Sequence, residues 1–476
     1  MLPPTPPPNP VEGEHAPIDS ASLQAAFRRL RPGGSTEASP EARPETETET
    51  ETGYAADHAD AGPAAAAPTP PSGRPPRAEH PGRWRSALRP RPRRRAAAPA
   101  DARRGEPGIH QFVPNLHAGD AVGRHTQRLR DAIVARGIPS RIYVQSTEAM
   151  TASETEEFST YAATSHPGDV LVYQFATASD LAPWLTARQE TLVVNYHNVT
   201  PPELYEPWDR EIARIQQRAR RELHVMAPRT ALAIADSTFN VADLTAAGYG
   251  ATAVVPPIAA ITLGRPPAAG ATSGSADPAA RTRSTAQGRG ARWLCVGRLA
   301  PNKAVEDALM ALVVTRARHD RDATLTVVGK PVQEAYHGAL RRFVADMGLE
   351  QAVTFRGHIS DDEVASAFDQ ADLLIVPSVH EGFCVPMVEA MAVGLPVVAS
   401  RSGVSRDVLG EAGIMVDTHD PEALADAIAG LLADPVRYTA LARAGQGQLR
   451  ALDLVGSGDR IVDLVLALRG DGAPPR

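Results

Sequence analysis

The chain has 476 residues, 43% of them hydrophobic, which is enough for two or three domains of about 100–200 residues each. Its net charge of -7 and pI near 6.1 exclude a global attraction to nucleic acid or anionic lipid. Two cysteines, Cys295 and Cys384, are too few for a disulfide scaffold or a cysteine-based metal centre. The opening "MLPPTPPPNP" has neither the basic start nor the apolar core of a secretory signal, and no later apolar run reaches the ~20 residues needed to cross a bilayer. A cytoplasmic protein is therefore expected.

Residues 1–105 read as a disordered tail. Proline repeats, the Glu/Thr alternation "ETETETET" at 45–52 and the basic "RSALRPRPRRR" at 85–95 cannot bury enough apolar surface to offset chain ordering. The arginine run is compatible both with an anionic partner and with a solvated tail. Within this segment, "PIDSASLQAAFRRL" at 17–30 reads as one short helix.

Order is expected from Gly108. "GIHQFVPNL" reads as a strand, followed by a glycine-containing turn and a helix with apolar Leu129, Ile133 and Val134 that stops at Gly137. "SRIYVQ", "DVLVYQF" at 169–175, "TLVVNYHN" at 191–198 and "ALAIADS" at 231–237 supply further strands. Helical stretches alternate with them, as in a mostly parallel, helix-covered sheet. From 263 to 290 a Gly/Ser/Pro/Ala-rich stretch without periodicity reads as a flexible linker or loop. A second alternating series follows: "ARWLCVG", a helix over about 302–318, then "ATLTVVG", "AVTFRG", "ADLLIVPS" and "LPVVAS". Two doubly wound lobes thus emerge, 108–262 and 291–450, and folds of this kind place ligands at the carboxyl ends of their strands.

Two constellations fall at such ends. In "VGRLAPNK", a strand ends at Gly297 and is followed by Arg298 and Lys303 beside a helix start. An arginine fork, a lysine charge and free backbone N–H groups there suit a diphosphate, although the stretch lacks a phosphate-loop pattern. In "SVHEGFCVPMVEAMAVGLPVVAS", at 378–400, Glu381 stands on the loop after a strand, Pro386 suits the first helical position, and Glu389 lies in the first turn. Helix-start electrostatics alone also favour an acid at Glu389, and a solvated loop residue is the simplest alternative for Glu381. Were the segment one helix, the two carboxylates would stand roughly 80° apart, so they read as occupying two elements around a ligand instead of forming a symmetric acid/base pair.

The series "VGRLAPNK", "LTVVGK", "VTFRGHIS" and "ADLLIVPSVHEGFCVPMVEAMAVGLPVVAS" closely resembles the C-terminal lobe of retaining GT-B glycosyltransferases of the large family 4, which includes mannosyl- and glucosyltransferases. The resemblance covers roughly 108–450. It implies an α/β GT-B fold, in which two Rossmann-like doubly wound lobes face each other across a cleft. The acceptor-side lobe would be 108–262 and the nucleotide-sugar lobe 291–450, with a C-terminal helix and tail over 451–476 expected to pack back on the first lobe.

By that resemblance Arg298 and Lys303, with Gly297, hold the donor diphosphate and stabilise the leaving nucleotide. Glu381 meets the donor-sugar hydroxyls, and Gly382, Phe383, Cys384 and Val385 add contacts. Glu389 is the ribose ligand, and the backbone of Gly357, His358 and Ile359 packs against the base. His197 lies near the donor sugar and the reacting centre, so that His197, Arg298, Lys303 and Glu381 form the catalytic set. Asn198, Thr200, Glu203 and Ser237 are acceptor-side groups. The first-lobe loop departs from the family's paired glycines but keeps Gly119 and Gly123, donor-side positions where backbone can approach the ligand closely, around Asp120, which either caps the helix or touches substrate. Cys384 stands where many relatives carry glycine, and a small side chain fits there if the local φ is negative.

The implied reaction is transfer of a hexose, mannose or glucose, from a nucleoside diphosphate sugar to a hydroxyl of a glycan or glycolipid acceptor, with retention. Neither a metal nor another cofactor is expected. Peripheral contact with the inner membrane face is compatible with this reading, and no specific nucleic-acid partner is implied. The alternatives are a GT-B sugar-nucleotide epimerase, a phosphorylase, or a non-catalytic sugar-nucleotide-binding scaffold.

Overall fold

The computed structural model describes residues 19–32, 106–116, 121–147, 155–258 and 289–469. The expected disorder of most of 1–105, the arginine run, nearly all of the 263–290 linker, and the candidate residues Gly119 and Asp120 lie outside the described residues.

The first lobe is a parallel sheet of seven strands among the described residues: β1 (Ile109–Leu116), β2 (Ile142–Thr147), β3 (Glu156–Glu157), β4 (Val170–Phe175), β5 (Thr191–Tyr196), β6 (Thr230–Ala235) and β7 (Thr252–Val254). Their spatial order is β3-β2-β1-β4-β5-β6-β7. The second lobe has six: β8 (Arg292–Val296), β9 (Thr324–Val328), β10 (Val353–Gly357), β11 (Leu373–Val376), β12 (Val397–Ser400) and β13 (Ile414–Val416), in the order β10-β9-β8-β11-β12-β13. Both sheets reverse their order once, at β1/β4 and at β8/β11. Such reversals leave a crevice beyond the carboxyl ends of the strands.

Strands covered by helices on both faces must be apolar on both sides, and the sequence complies. Every residue of β4, β11 and β12 is buried. Alternate residues feed two separate cores. In the first lobe Phe112, Leu171, Tyr173, Val194 and Tyr196 pack to one side, and Ile109, Val170, Val172, Val193 and Ile234 to the other. That second face is closed by helix Ala121–Ala135 through Leu129 and Ile133, together with helix Ser457–Ala467 from the end of the chain through Ile461, Val462 and Val465. Arg136 secures the join with bonds to Asp459 and Asp463 at 2.8 and 3.0 Å. Val134, expected on the apolar face, is 47% exposed.

The resulting arrangement is the GT-B fold, two Rossmann-like lobes facing across a cleft. The short edge strands β3, β7 and β13 carried too few residues to show a pattern. The helix expected from about 302 starts later, at Val305. Residues Pro301–Lys303 form a 3-10 turn, and Ala304 adopts φ 46° between the two, so Lys303 projects from a turn.

Candidate functional site

The second-lobe site gathers at the β8/β11 crevice. Gly297 ends β8 with φ 148°, and a Cβ there would stand 3.2 Å from Lys303 Cε and Nζ, so the lysine stem lies across the glycine. Gly329 ends β9 with φ 151°, and a Cβ on it would overlap the Gly297 carbonyl at 1.7 Å. Only glycine permits these two strand ends to come so close. Lys303 Nζ is ion-paired with Glu381 Oε1, the lysine side chain 16% exposed and the glutamate 9%. Burial pulls the Lys303 pKa down, but the Glu381 carboxylate outweighs it and leaves the ammonium above its usual range. Arg298 is exposed on the same turn. A small cavity beside the pair is lined by Cys295, Gly297, Lys303, Pro377 and Ser378.

The loop carrying Glu381 is held from behind. Asn302 accepts from the Val379 N–H at 3.0 Å and donates through Nδ2 to the His380 carbonyl at 2.9 Å. Phe383 and Cys384 are buried in the second-lobe core. Cys384 has φ 63°, in the left-handed region, against the expectation of a negative φ. The backbone thus keeps a conformation suited to glycine, and the side chain is accommodated because it packs inward. Burial pushes both thiols, Cys295 and Cys384, up to about 12, so neither is a nucleophile at neutral pH.

Helix Val385–Ala392 begins one residue earlier than expected, with Pro386 second, and no acid lies in its first turn. Glu389 is therefore deeper in the helix than a capping acid would be, which removes the dipole explanation for it. Burial raises its pKa to about 7, opposed by Arg124 on the first lobe and reinforced by Asp361. Arg124 and Asp361 approach to 3.9 Å across the cleft. Gly357 closes β10 with φ 63°, leading into exposed His358 and half-buried Ile359.

On the first lobe His197 follows β5 directly. Its Nδ1 faces both oxygens of Asp236 at 3.1 and 3.0 Å, and its Nε2 lies 2.7 Å from Gln174 Oε1. Both ring nitrogens are thus engaged within the lobe, and what His197 turns toward the second lobe is its backbone: a Cβ on Gly382 would lie 2.9 Å from the His197 carbonyl. Behind it lie Gln111, Asn195 and His125, the last held well below the usual histidine range by burial and by the charge of His197. Asn198 is buried, and Ser237 Oγ donates to the Gly382 carbonyl at 2.7 Å. Thr200 is half-buried, Glu203 is exposed, and Gly123 is buried in helix Ala121–Ala135.

The structure thus brings Lys303, Glu381, Gly382, His197, Asn198 and Ser237 together at one seam, with Glu389 and Arg124 further along the cleft. Sequence reading missed Asp236, Gln174, Asn302, His380 and Arg124. Asp236 alone had a signal, since it ends a strand on the same edge as His197. Among the described residues no cluster of histidine, cysteine and carboxylate side chains could hold a metal ion.

Residues 290–434 match the family model for glycosyl transferases group 1. A GDP-mannose-dependent alpha-(1-6)-phosphatidylinositol monomannoside mannosyltransferase of Mycobacterium tuberculosis is 32% identical over 182 residues, which is 36% of this chain and 46% of that protein. A D-inositol 3-phosphate glycosyltransferase of Paenarthrobacter aurescens is 38% identical over 124 residues, 26% of this chain and 30% of the relative. The matches therefore span less than half the length of these relatives. Among solved structures, sucrose-phosphate synthase of Thermosynechococcus elongatus aligns with TM-score 0.60 and 20% identity over 77% of this chain and 100% of its own. HepE of Anabaena aligns with TM-score 0.59 and 18% identity over 76% and 100%. At these identities the structural likeness speaks for the fold.

Proposed function

From a chain with the GT-B fold whose second lobe is related to the glycosyl transferases group 1, we propose a retaining hexosyltransferase that moves mannose or glucose from a nucleoside diphosphate sugar to a hydroxyl acceptor. The observation that carries this reading is the Lys303–Glu381 ion pair at the β8/β11 crevice, facing the His197–Asn198 loop of the other lobe. A cation and a hydroxyl acceptor stand side by side, which matches the phosphate–sugar junction of a donor.

As the glycosidic bond breaks, negative charge grows on the leaving diphosphate. Lys303 and Arg298 stabilise it, and preorganised charge of this kind is commonly the largest catalytic contribution. Glu381 exchanges its lysine partner for sugar hydroxyls and orients the ring, while Glu389 receives the ribose hydroxyls. Acceptor attack comes from the face the nucleotide leaves, through an oxocarbenium-like state, with the departing phosphate oxygen taking the acceptor proton. The His197 carbonyl and the Asn198 loop line the first-lobe side. GDP-mannose is the first donor to test, since that nucleotide is named for the mycobacterial relatives. Action from the cytoplasmic side, with peripheral membrane contact for a lipid-linked acceptor, fits this reading.

Incubation with GDP-, UDP- and ADP-hexoses and a panel of glycan and lipid alcohols, followed by mass analysis, tests it. Lys303→Met and Glu381→Gln should each lower transfer at least about a hundredfold, the scale of losing one preorganised charge at a transition state. Each single change also strands a largely buried charge or its partner, so the double variant should be more stable than Lys303→Met alone. Near-normal turnover by either folded single variant would defeat the assignment.

A further inference from the structure

The residue beside Glu381, His380, joins three pieces of the site. Its carbonyl accepts from Asn302 Nδ2 at 2.9 Å, which fixes it to the turn bearing Lys303. Its Nε2 lies 2.7 Å from Asn198 Oδ1, across the cleft and immediately after His197. Its ring packs edge-on to Phe239 of the first lobe, with centroids 5.5 Å apart.

The polarity of this contact is set from the far end. The Tyr196 carbonyl accepts from Asn240 Nδ2 at 3.4 Å, and Asn240 Oδ1 accepts from Asn198 Nδ2 at 2.8 Å. The Asn198 side chain therefore has only its oxygen left for His380, and the His380 Nε2–H must donate. Asn198 presents that oxygen from a φ of 79°, a conformation asparagine tolerates better than most residues. Burial, seconded by Arg220 and opposed by Asp243, Glu381 and a hydrogen bond to the Val199 backbone, holds His380 below the usual histidine range.

We propose that His380 is a positioning residue that latches the two lobes through Asn198, aligning the Lys303–Glu381 pair with the His197 loop. The proposal rests on the transferase reading for its kinetic consequence, but the latch itself is read without catalysis. The nucleotide-contacting groups Arg298, Lys303 and Glu389 all belong to the second lobe. Losing the latch should therefore separate the lobes while leaving nucleotide binding intact.

The test uses the full chain with His380→Ala, His380→Gln and Asn198→Gly. Glutamine reaches about as far as the histidine Nε2 and donates an N–H, and glycine accepts the positive φ without strain. Solution X-ray scattering should show a larger radius of gyration for His380→Ala and for Asn198→Gly, with His380→Gln restored to wild-type. GDP and UDP dissociation constants should stay within about twofold, while kcat falls about tenfold for the alanine variant and recovers with glutamine, the scale of one hydrogen bond lost from alignment. The double variant His380→Ala/Asn198→Gly should be no worse than either single. Wild-type compactness of His380→Ala and Asn198→Gly, or a glutamine variant that behaves like alanine, would overturn the latch. If no donor and acceptor pair yields product, the scattering series still decides the latch while the transferase reading falls separately.

Discussion

Glu389 holds a carboxyl whose pKa is raised to about 7, chiefly by burial, and in its proposed role as ribose ligand it is expected to make nucleotide binding depend on pH. A folded-state value above the ordinary carboxylate range means the protein favours the neutral acid. That contribution to stability is complete below about pH 4.3 and is lost as the pH rises through about 7. Ribose hydroxyls donate to the ionised form, so a nucleotide that reaches Glu389 should expel its proton. Affinity is expected to rise with pH up to about 7 and then level off. Calorimetry at about pH 6 in buffers of different ionisation heat should report proton release on nucleotide binding, absent in Glu389→Gln. Binding without proton release in the unmodified protein would remove Glu389 from the ribose. The residues legible in advance, Lys303, Glu381 and Gly382, each follow a strand whose apolar run announces where its carboxyl end lies. Those that stayed hidden act through contacts between distant segments: His380 meets Asn198 across 182 residues and Gln174 meets His197 across 23. Cys384 differed for a local reason: its backbone keeps the left-handed φ of 63° that glycine favours, although the residue itself carries a side chain.

Helix Ser20–Arg29 shows how a short element survives inside an otherwise unpatterned stretch. Asp19 caps it by accepting from the Ser22 N–H at 2.8 Å, and Arg28 and Arg29 sit in its last turn, where the helix dipole favours positive charge. Leu23 and Phe27, four apart, form a single buried face. Phe27 enters an aromatic pocket made by Tyr336 and Phe343 of the second lobe and Trp208 of the first, with centroids 6.4, 5.8 and 5.8 Å away. Glu422 accepts from the Ser20 N–H at 3.0 Å, and Arg342 donates to the Leu30 carbonyl at 3.1 Å. A helix of ten residues is marginal alone, so its order derives from this docking. Phe27→Ala would cost about 3–5 kcal/mol if the helix stayed in place. Releasing the helix costs only its docking energy, so the expected outcome is local: rapid hydrogen exchange across 20–29 and a more polar fluorescence environment at Trp208, with the main unfolding transition shifted less than that figure. Retained protection of 20–29 would contradict it.

The lobes meet along a seam that the alternating strand pattern could not foretell, because each lobe satisfies its own core. At one end Thr238 Oγ1 and the Phe239 N–H both donate to Asp407 Oδ2, at 2.6 and 2.9 Å, which pins the first-lobe backbone against helix Gly403–Leu409. The Phe239 ring then lies over Gly403 so closely that a Cβ there would be 2.0 Å from Cδ2. No real carbon–carbon contact is so short. With the Phe239 backbone tethered, an added methyl must turn the ring out or wedge the lobes apart, at about 1–3 kcal/mol for overpacking of this kind. Gly403→Ala is therefore expected to enlarge the radius of gyration and lower kcat, while GDP and UDP dissociation constants stay within about twofold because the proposed nucleotide contacts all lie on the second lobe. Removing the obstructing ring supplies the control: Gly403→Ala/Phe239→Ala should return toward wild-type compactness, since the methyl then occupies space the ring has left. If the single variant stays compact and active, the seam yields elsewhere. If the double variant remains open, the ring is holding the lobes together by its own packing, and the methyl was never the wedge.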